Sequence, residues 1–267
     1  MEARKWQLLI RPLERLTFII AFKSVFAGCS ITMLTPNRIG EYGGRVMYVQ
    51  EENRLKSISL TILGSMSQLF ITILMGTTGL ILFKYYYPDN RIMYQLIPEL
   101  AGDILLYTCI AISIILILLY LRVGLLIRSI TSIKSLNNFA KYWSLLSSFS
   151  RKQLLRIMFL SFLRYMVFIL QYILLLKLMQ VNIALGTCFW VLTIFYLVMT
   201  LAPTIGFTEL PIRAAASVTL LQLFSNNILG IQAASLGIWL INLVLPALIG
   251  SILIFGIKIT KERNEYN

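Results

Sequence analysis

The chain has no histidine among its 267 residues. That removes the commonest general base and the commonest metal ligand together. Cysteine is scarce as well. Cys29, Cys109 and Cys188 each stand alone in apolar runs. Without a CxxC pair they form no metal knuckle or redox dithiol and read as buried thiols. Acid is short too, with 11 Asp and Glu against 24 Lys and Arg and a formal charge of +13. There is no HExxH, no GxxxxGK[ST] loop and no aspartate pair within an apolar run. An intramembrane enzyme is therefore disfavoured, and the chain reads as a non-enzyme with no cofactor and no metal site.

What is abundant is apolar surface. The chain is 58% hydrophobic with a mean hydropathy of +0.80, against roughly 45–50% apolar residues in soluble domains. Apolar stretches run over about 16–34, 57–83, 104–121, 154–176, 183–201 and 228–257. Several approach or exceed the ~20 residues that cross a bilayer as a helix. In lipid each backbone group must be satisfied within its own segment, so these stretches are helices. The cations gather in the connections, which suits anionic lipid rather than nucleic acid. The opening MEARKWQLLIRPLERL is basic and amphipathic and has no cleavage site.

Loop charge orients the helices. Basic groups flank the first stretch on both sides, with Arg4, Lys5, Arg11 and Arg15 before it and Arg38, Arg45, Arg54 and Lys56 after it. Six more cations lie between Arg122 and Lys152, and Lys258, Lys261 and Arg263 close the chain. The connections after the second and fourth stretches are poor in cations. The positive-inside rule puts the rich groups in the cytoplasm. A single helix cannot begin and end on one side, so residues 16–50 are expected to form a re-entrant hairpin. The same reasoning makes 183–224 a second one, entering from the opposite face.

The two proposed turns share a pattern. The first has Leu34, Pro36, Ile39, Gly40, Glu41 and Arg45; the second has Leu201, Pro203, Ile205, Gly206, Glu209 and Arg213. Proline ends the incoming helix and glycine permits the turn. Glu four residues before Arg puts each pair on one helix face. Paired broken helices in two halves of a membrane protein point to a transport site, and half-helix N-termini attract phosphate. Gly40 and Gly44 also form a GxxxG, a signal of close helix packing. Arg164 lies ten residues into the fourth stretch, roughly 15 Å deep. A charge there costs on the order of 2.5–3.5 kcal/mol and faces the protein interior or a wet cavity. Arg164 reads as a functional or site-structuring residue, the other reading being a purely structural ion pair with Glu41 or Glu209, and Gln171 shares its face.

TPNRIGEYGGRVMYV and APTIGFTELPIRAA resemble the two signatures of the lysylphosphatidylglycerol synthase transmembrane-region family, also described as flippase-like. RKWQLLIRPLE resembles the family's segment just upstream of the first signature. The resemblance implies a multi-pass bacterial or archaeal protein of the plasma membrane. It also implies movement of aminoacylated phosphatidylglycerol or a lipid-linked glycan between leaflets. Relatives usually carry about two further spans before this segment, and the synthases add a soluble aminoacyl-transferring domain. The resemblance thus implies an N-terminally shortened form without synthetic activity.

The expectation is one integral membrane domain over 1–267: an all-α polytopic helical bundle with two opposed re-entrant hairpins, inverted-repeat-like. Glu41, Arg45, Arg164, Gln171, Glu209 and Arg213 are its candidate substrate-binding residues. Pro36, Gly40, Gly44, Pro203 and Gly206 are its turn residues. The expected ligand is a membrane phospholipid or lipid-linked substrate, not nucleic acid. A homo-oligomer or a lipid-modifying enzyme remains open as a partner. The other reading is a non-catalytic subunit supporting a lipid-modifying or glycosyl-transferring enzyme.

Overall fold

A computed structural model describes residues 1–35, 39–86, 99–121, 144–202, 206 and 208–265. Pro36 and Pro203 lie outside the described residues. The described residues form an all-α bundle. Its helices are α1 (Glu2–Ile10), α2 (Phe18–Thr32), α3 (Gly40–Val46), α4 (Arg54–Tyr86), α5 (Glu99–Leu121), α6 (Arg151–Leu178), α7 (Leu185–Leu201), α8 (Glu209–Leu221), α9 (Ile228–Trp239) and α10 (Leu245–Glu265).

Among the described residues, four helical stretches are long and apolar enough to cross a membrane: Glu51–Tyr85, Gly102–Tyr120, Arg151–Leu178 and Ile228–Gly256. The two remaining apolar helices are Phe18–Thr32 and Leu185–Leu201, of 15 and 17 residues. At ~1.5 Å per residue they reach about 22 and 26 Å, short of the ~30 Å hydrocarbon core. These are the two stretches expected to be the incoming arms of hairpins.

Local sequence sets the ends. Ser150 and Gln153 form a reciprocal capping box at the start of α6. That helix ends with Gln180 in the left-handed region at φ 58 and Val181 N–H donating to the Leu176 carbonyl at 2.9 Å, a Schellman closure. Asn227 caps α9 by accepting from Gly230 N–H at 2.9 Å, and donates to the Met179 carbonyl at 3.0 Å. Between α9 and α10, Leu240–Val244 widens into a π-helical turn. Pro246 lacks the N–H that would bond the carbonyl four residues back, and the wide turn directly precedes it.

Contacts fix the helix directions. Lys84 pairs with Asp103, and Thr77 Oγ1 lies 3.3 Å from Ser113 Oγ. Advancing along α4 thus means retreating along α5, so the two are antiparallel. Ser67 with Ser161 and Gln68 with Arg164 advance together, so α4 and α6 are parallel. α7 opposes both, with Thr193 against Gly79, Leu197 against Gly76, and Tyr172 edge-on to Phe195. Apolar cores form where α4, α6, α7 and α9 meet and where α1 packs on α4 and α6. α5 is peripheral and exposes Ile104, Ile114, Ile115 and Leu118.

Both short apolar helices are followed by a returning arm. α3 lies back along α2 so closely that a methyl on Gly44 would sit 2.4 Å from Gly28 Cα, and one on Gly40 2.4 Å from the Ile31 carbonyl. The GxxxG is this packing face. α8 returns against α7. The two turns then meet: a methyl on Gly206 would sit 2.6 Å from the Met33 carbonyl oxygen. α2 begins at the end of the bundle where α6 begins, since Arg15 and Arg156 line one groove. α7 begins at the other end. The α2–α3 and α7–α8 pairs therefore start at opposite ends of the bundle and approach each other at Met33 and Gly206.

Gly44→Leu should separate α3 from α2, costing about 1–3 kcal/mol or more and lowering the melting temperature in detergent. Gly43→Ala, with nothing within 4 Å, should leave it unchanged. In a cysteine-free background, Glu52→Cys and Asn226→Cys sit at opposite ends of the bundle. A membrane-impermeant thiol reagent should label them from opposite sides of the membrane.

Candidate functional site

Two clusters of charge lie on the returning arms. Glu41 and Arg45 occupy the first and last turns of α3, and Glu209 and Arg213 the first turns of α8. Each pair forms the expected ion pair four residues apart. Both arginines are buried, Arg45 at 1% and Arg213 at 8% exposure. Each carries a Nε donor that is buried without an acceptor. Each also packs over an aromatic ring, Arg45 at 5.1 Å from Trp6 and Arg213 at 5.6 Å from Phe195, an attraction of cation to π-face.

The first cluster is the larger. Arg45 Nη2 donates to Glu2 Oε1 at 2.8 Å as well as to Glu41. Lys5 Nζ lies 3.0 Å from the same Glu2 oxygen. Arg164 Nη1 donates to Glu2 Oε2 at 3.1 Å and reaches Gln68 Oε1 at 3.5 Å. Three cations therefore share two carboxylates, which leaves one positive charge in excess. Burial alone would raise the Glu2 carboxyl, but Lys5, Arg164 and Arg45 outweigh it and hold the group well below the usual carboxylate range. Burial pushes the Lys5 ammonium below its ordinary value, against the pull of Glu2.

The structure thus brings Glu41, Arg45 and Arg164 together, and keeps Glu209 and Arg213 as a separate pair. No ion pair joins the two clusters among the described residues. The partner of Arg164 is Glu2, not Glu41 or Glu209. Gln171 joins neither cluster through a hydrogen bond of its Oε1, which is buried without a partner. Arg213 stands beside Tyr172, whose hydroxyl faces Ser217 and Ser235. Gly206 is fixed by Trp239 Nε1, which donates to its carbonyl at 3.2 Å.

Sequence reasoning missed Glu2 and Lys5. It counted Lys5 only among the flanking cations, and Arg45 both there and as a site residue, yet they are 2% and 1% exposed. A signal was present: Lys5 lies on the same stripe of α1 as Trp6, Leu9 and Ile10, all buried. A lone cation in an apolar stripe calls for a buried partner, and Glu2 three residues back supplies it.

Glu2→Gln would leave buried Lys5 and Arg45 and half-buried Arg164 with Glu41 alone. Removing one member of a buried pair costs about 3–5 kcal/mol, so melting should fall by several degrees. Glu51→Gln, whose pair with Arg54 is solvent-exposed, should not move it.

Among curated proteins and among solved structures nothing matches the chain. The family model described as the lysylphosphatidylglycerol synthase TM region matches residues 1–250. With four helices able to cross a membrane, the chain is a multi-pass membrane protein, and it belongs to that lipid-related family.

Proposed function

We propose that the chain carries an anionic or aminoacylated phospholipid, or a lipid-linked headgroup, between the leaflets of the plasma membrane. The observation that carries this reading is the pair of buried arginines, Arg45 in the last turn of α3 and Arg213 in the second turn of α8, on two returning arms whose turns meet. Both keep a Nε donor without an acceptor. A buried donor left unmade costs about 1–3 kcal/mol, and a phosphate oxygen is the acceptor whose geometry the guanidinium fork fits. The excess positive charge around Glu2 favours the same ligand.

Two arms of about 22 and 26 Å that turn back at their tips are re-entrant in this reading. The headgroup crosses near the two turns while acyl chains stay in lipid. Glu41, at 24% side-chain exposure, is the carboxylate that an aminoacyl ammonium would meet. Arg164, at the same exposure, stands at the edge of the first cluster, where an entering phosphate would first displace Gln68. No ATP-binding loop occurs in the sequence, so movement is downhill or ion-coupled.

Reconstituted vesicles carrying fluorescent phosphatidylglycerol measure this as leaflet exchange. Arg164→Gln and Arg213→Gln should each slow exchange tenfold or more per folded molecule, the loss of one charge-assisted hydrogen bond of about 1.5–3 kcal/mol. If both variants only lower the yield and exchange per folded molecule is unchanged, the transporter reading fails. A membrane subunit that supports a lipid-modifying enzyme then takes its place.

A further inference from the structure

A second cationic feature lies apart from both clusters. α1, the linker into α2 and the first turns of α6 enclose an open groove of about 450 Å³. Arg4, Arg11, Arg15 and Arg156 line it, and no carboxylate does. None of these four makes an ion pair among the described residues. Arg4 packs over the Phe18 ring at 5.6 Å. Gln7 Nε2 donates to the Leu16 carbonyl at 3.0 Å and ties the linker to α1. A smaller void of about 60 Å³ also opens onto Arg11 and Arg156.

Four like charges around one space repel each other until an anion enters. The arginine fork matches phosphate oxygens. The remaining walls decide which anion. Leu8, Leu16 and Leu160 face the same space. Next to it in sequence, Phe18 and Ile19 on α2 are 47% and 65% exposed, and Leu155 and Phe159 on α6 are 50% and 57% exposed. The arginines thus border apolar surface that lipid covers. A free anion gains nothing from that surface, whereas a molecule with phosphate at one end and acyl chains at the other uses both.

We propose that this groove between α1 and α6 docks the phosphate headgroup of an anionic phospholipid, with Arg11 and Arg156 as the phosphate ligands. The site is separate from the buried clusters and stands without leaflet exchange. Docking is read as equilibrium binding and exchange as a rate, so the two readings fail separately.

The test is competition against a fluorescent phosphatidylglycerol on the purified chain in detergent. Unlabelled phosphatidylglycerol should compete at least tenfold better than phosphatidylcholine, and less well as salt is raised. Arg156→Gln should weaken binding about fivefold and Arg11→Gln/Arg156→Gln about 25-fold, at a contribution of about fivefold per surface arginine. Arg54→Gln, outside the groove, should change nothing. Should the double variant fail to fold, the single Arg156→Gln still reads its fivefold loss. Equal competition by phosphatidylcholine, or unchanged binding in folded Arg156→Gln, overturns the proposal. Inorganic phosphate competing as well as the lipid makes the groove a soluble-anion site and overturns it too.

Discussion

A guanidinium held at 1% exposure keeps its charge and is costly to bury unless carboxylates answer it, and much of the first half of the molecule follows from Arg45. Glu41, four residues back, supplies one carboxylate from the same helix. The second must come from elsewhere, and α1 delivers it as Glu2. To do so α1 has to be buried, with Trp6 over the guanidinium and Leu9 and Ile10 in the core. Burying α1 takes Lys5 inside as well, where its ammonium needs Glu2, the Gly64 carbonyl at 3.4 Å and Ser161 at 3.4 Å. One buried charge thus ties α1, α3, α4 and α6 together.

The second half answers the same demand with fewer parts. Arg213 has Glu209 and the Phe195 ring, with Tyr172 beside them. What brings the two turns together is steric rather than electrostatic. Gly206 lies against the Met33 backbone so tightly that no side chain fits, and Trp239 anchors its carbonyl from α9. The contact places one returning arm on each side of a common point. Pro246 and the wide turn before it let α9 and α10 leave that point without a break in the helix.

Much of this was legible in the sequence because apolar run length and paired signatures are local properties. The six apolar stretches appear as helices, and the two assigned to hairpins are the two too short to span. The Glu–Arg spacing at 41 and 45 and at 209 and 213 formed the pairs it suggested, since side chains four apart meet on any helix. What stayed hidden was long-range. Glu2 and Arg164 are 162 residues apart, and no periodicity links them. Charge counting placed Lys5 and Arg45 with the basic groups that flank the first apolar stretch. Their neighbours in space are Trp6, Ser24 and Ser161.

Burial separates two kinds of arginine here and with them two kinds of anion contact. Arg45 and Arg213 sit among fixed carboxylates in a low-dielectric interior, where each charge acts strongly and is already mostly answered. An anion arriving there gains only the unmade Nε bonds and the one excess charge, which suits brief occupancy. Arg11 and Arg156 stand at the surface, unanswered but screened by water and salt. An anion there gains several weak attractions at once and loses them readily. On the proposed transport reading, an anionic headgroup would meet no deep well in either place, and shallow wells are what passage requires.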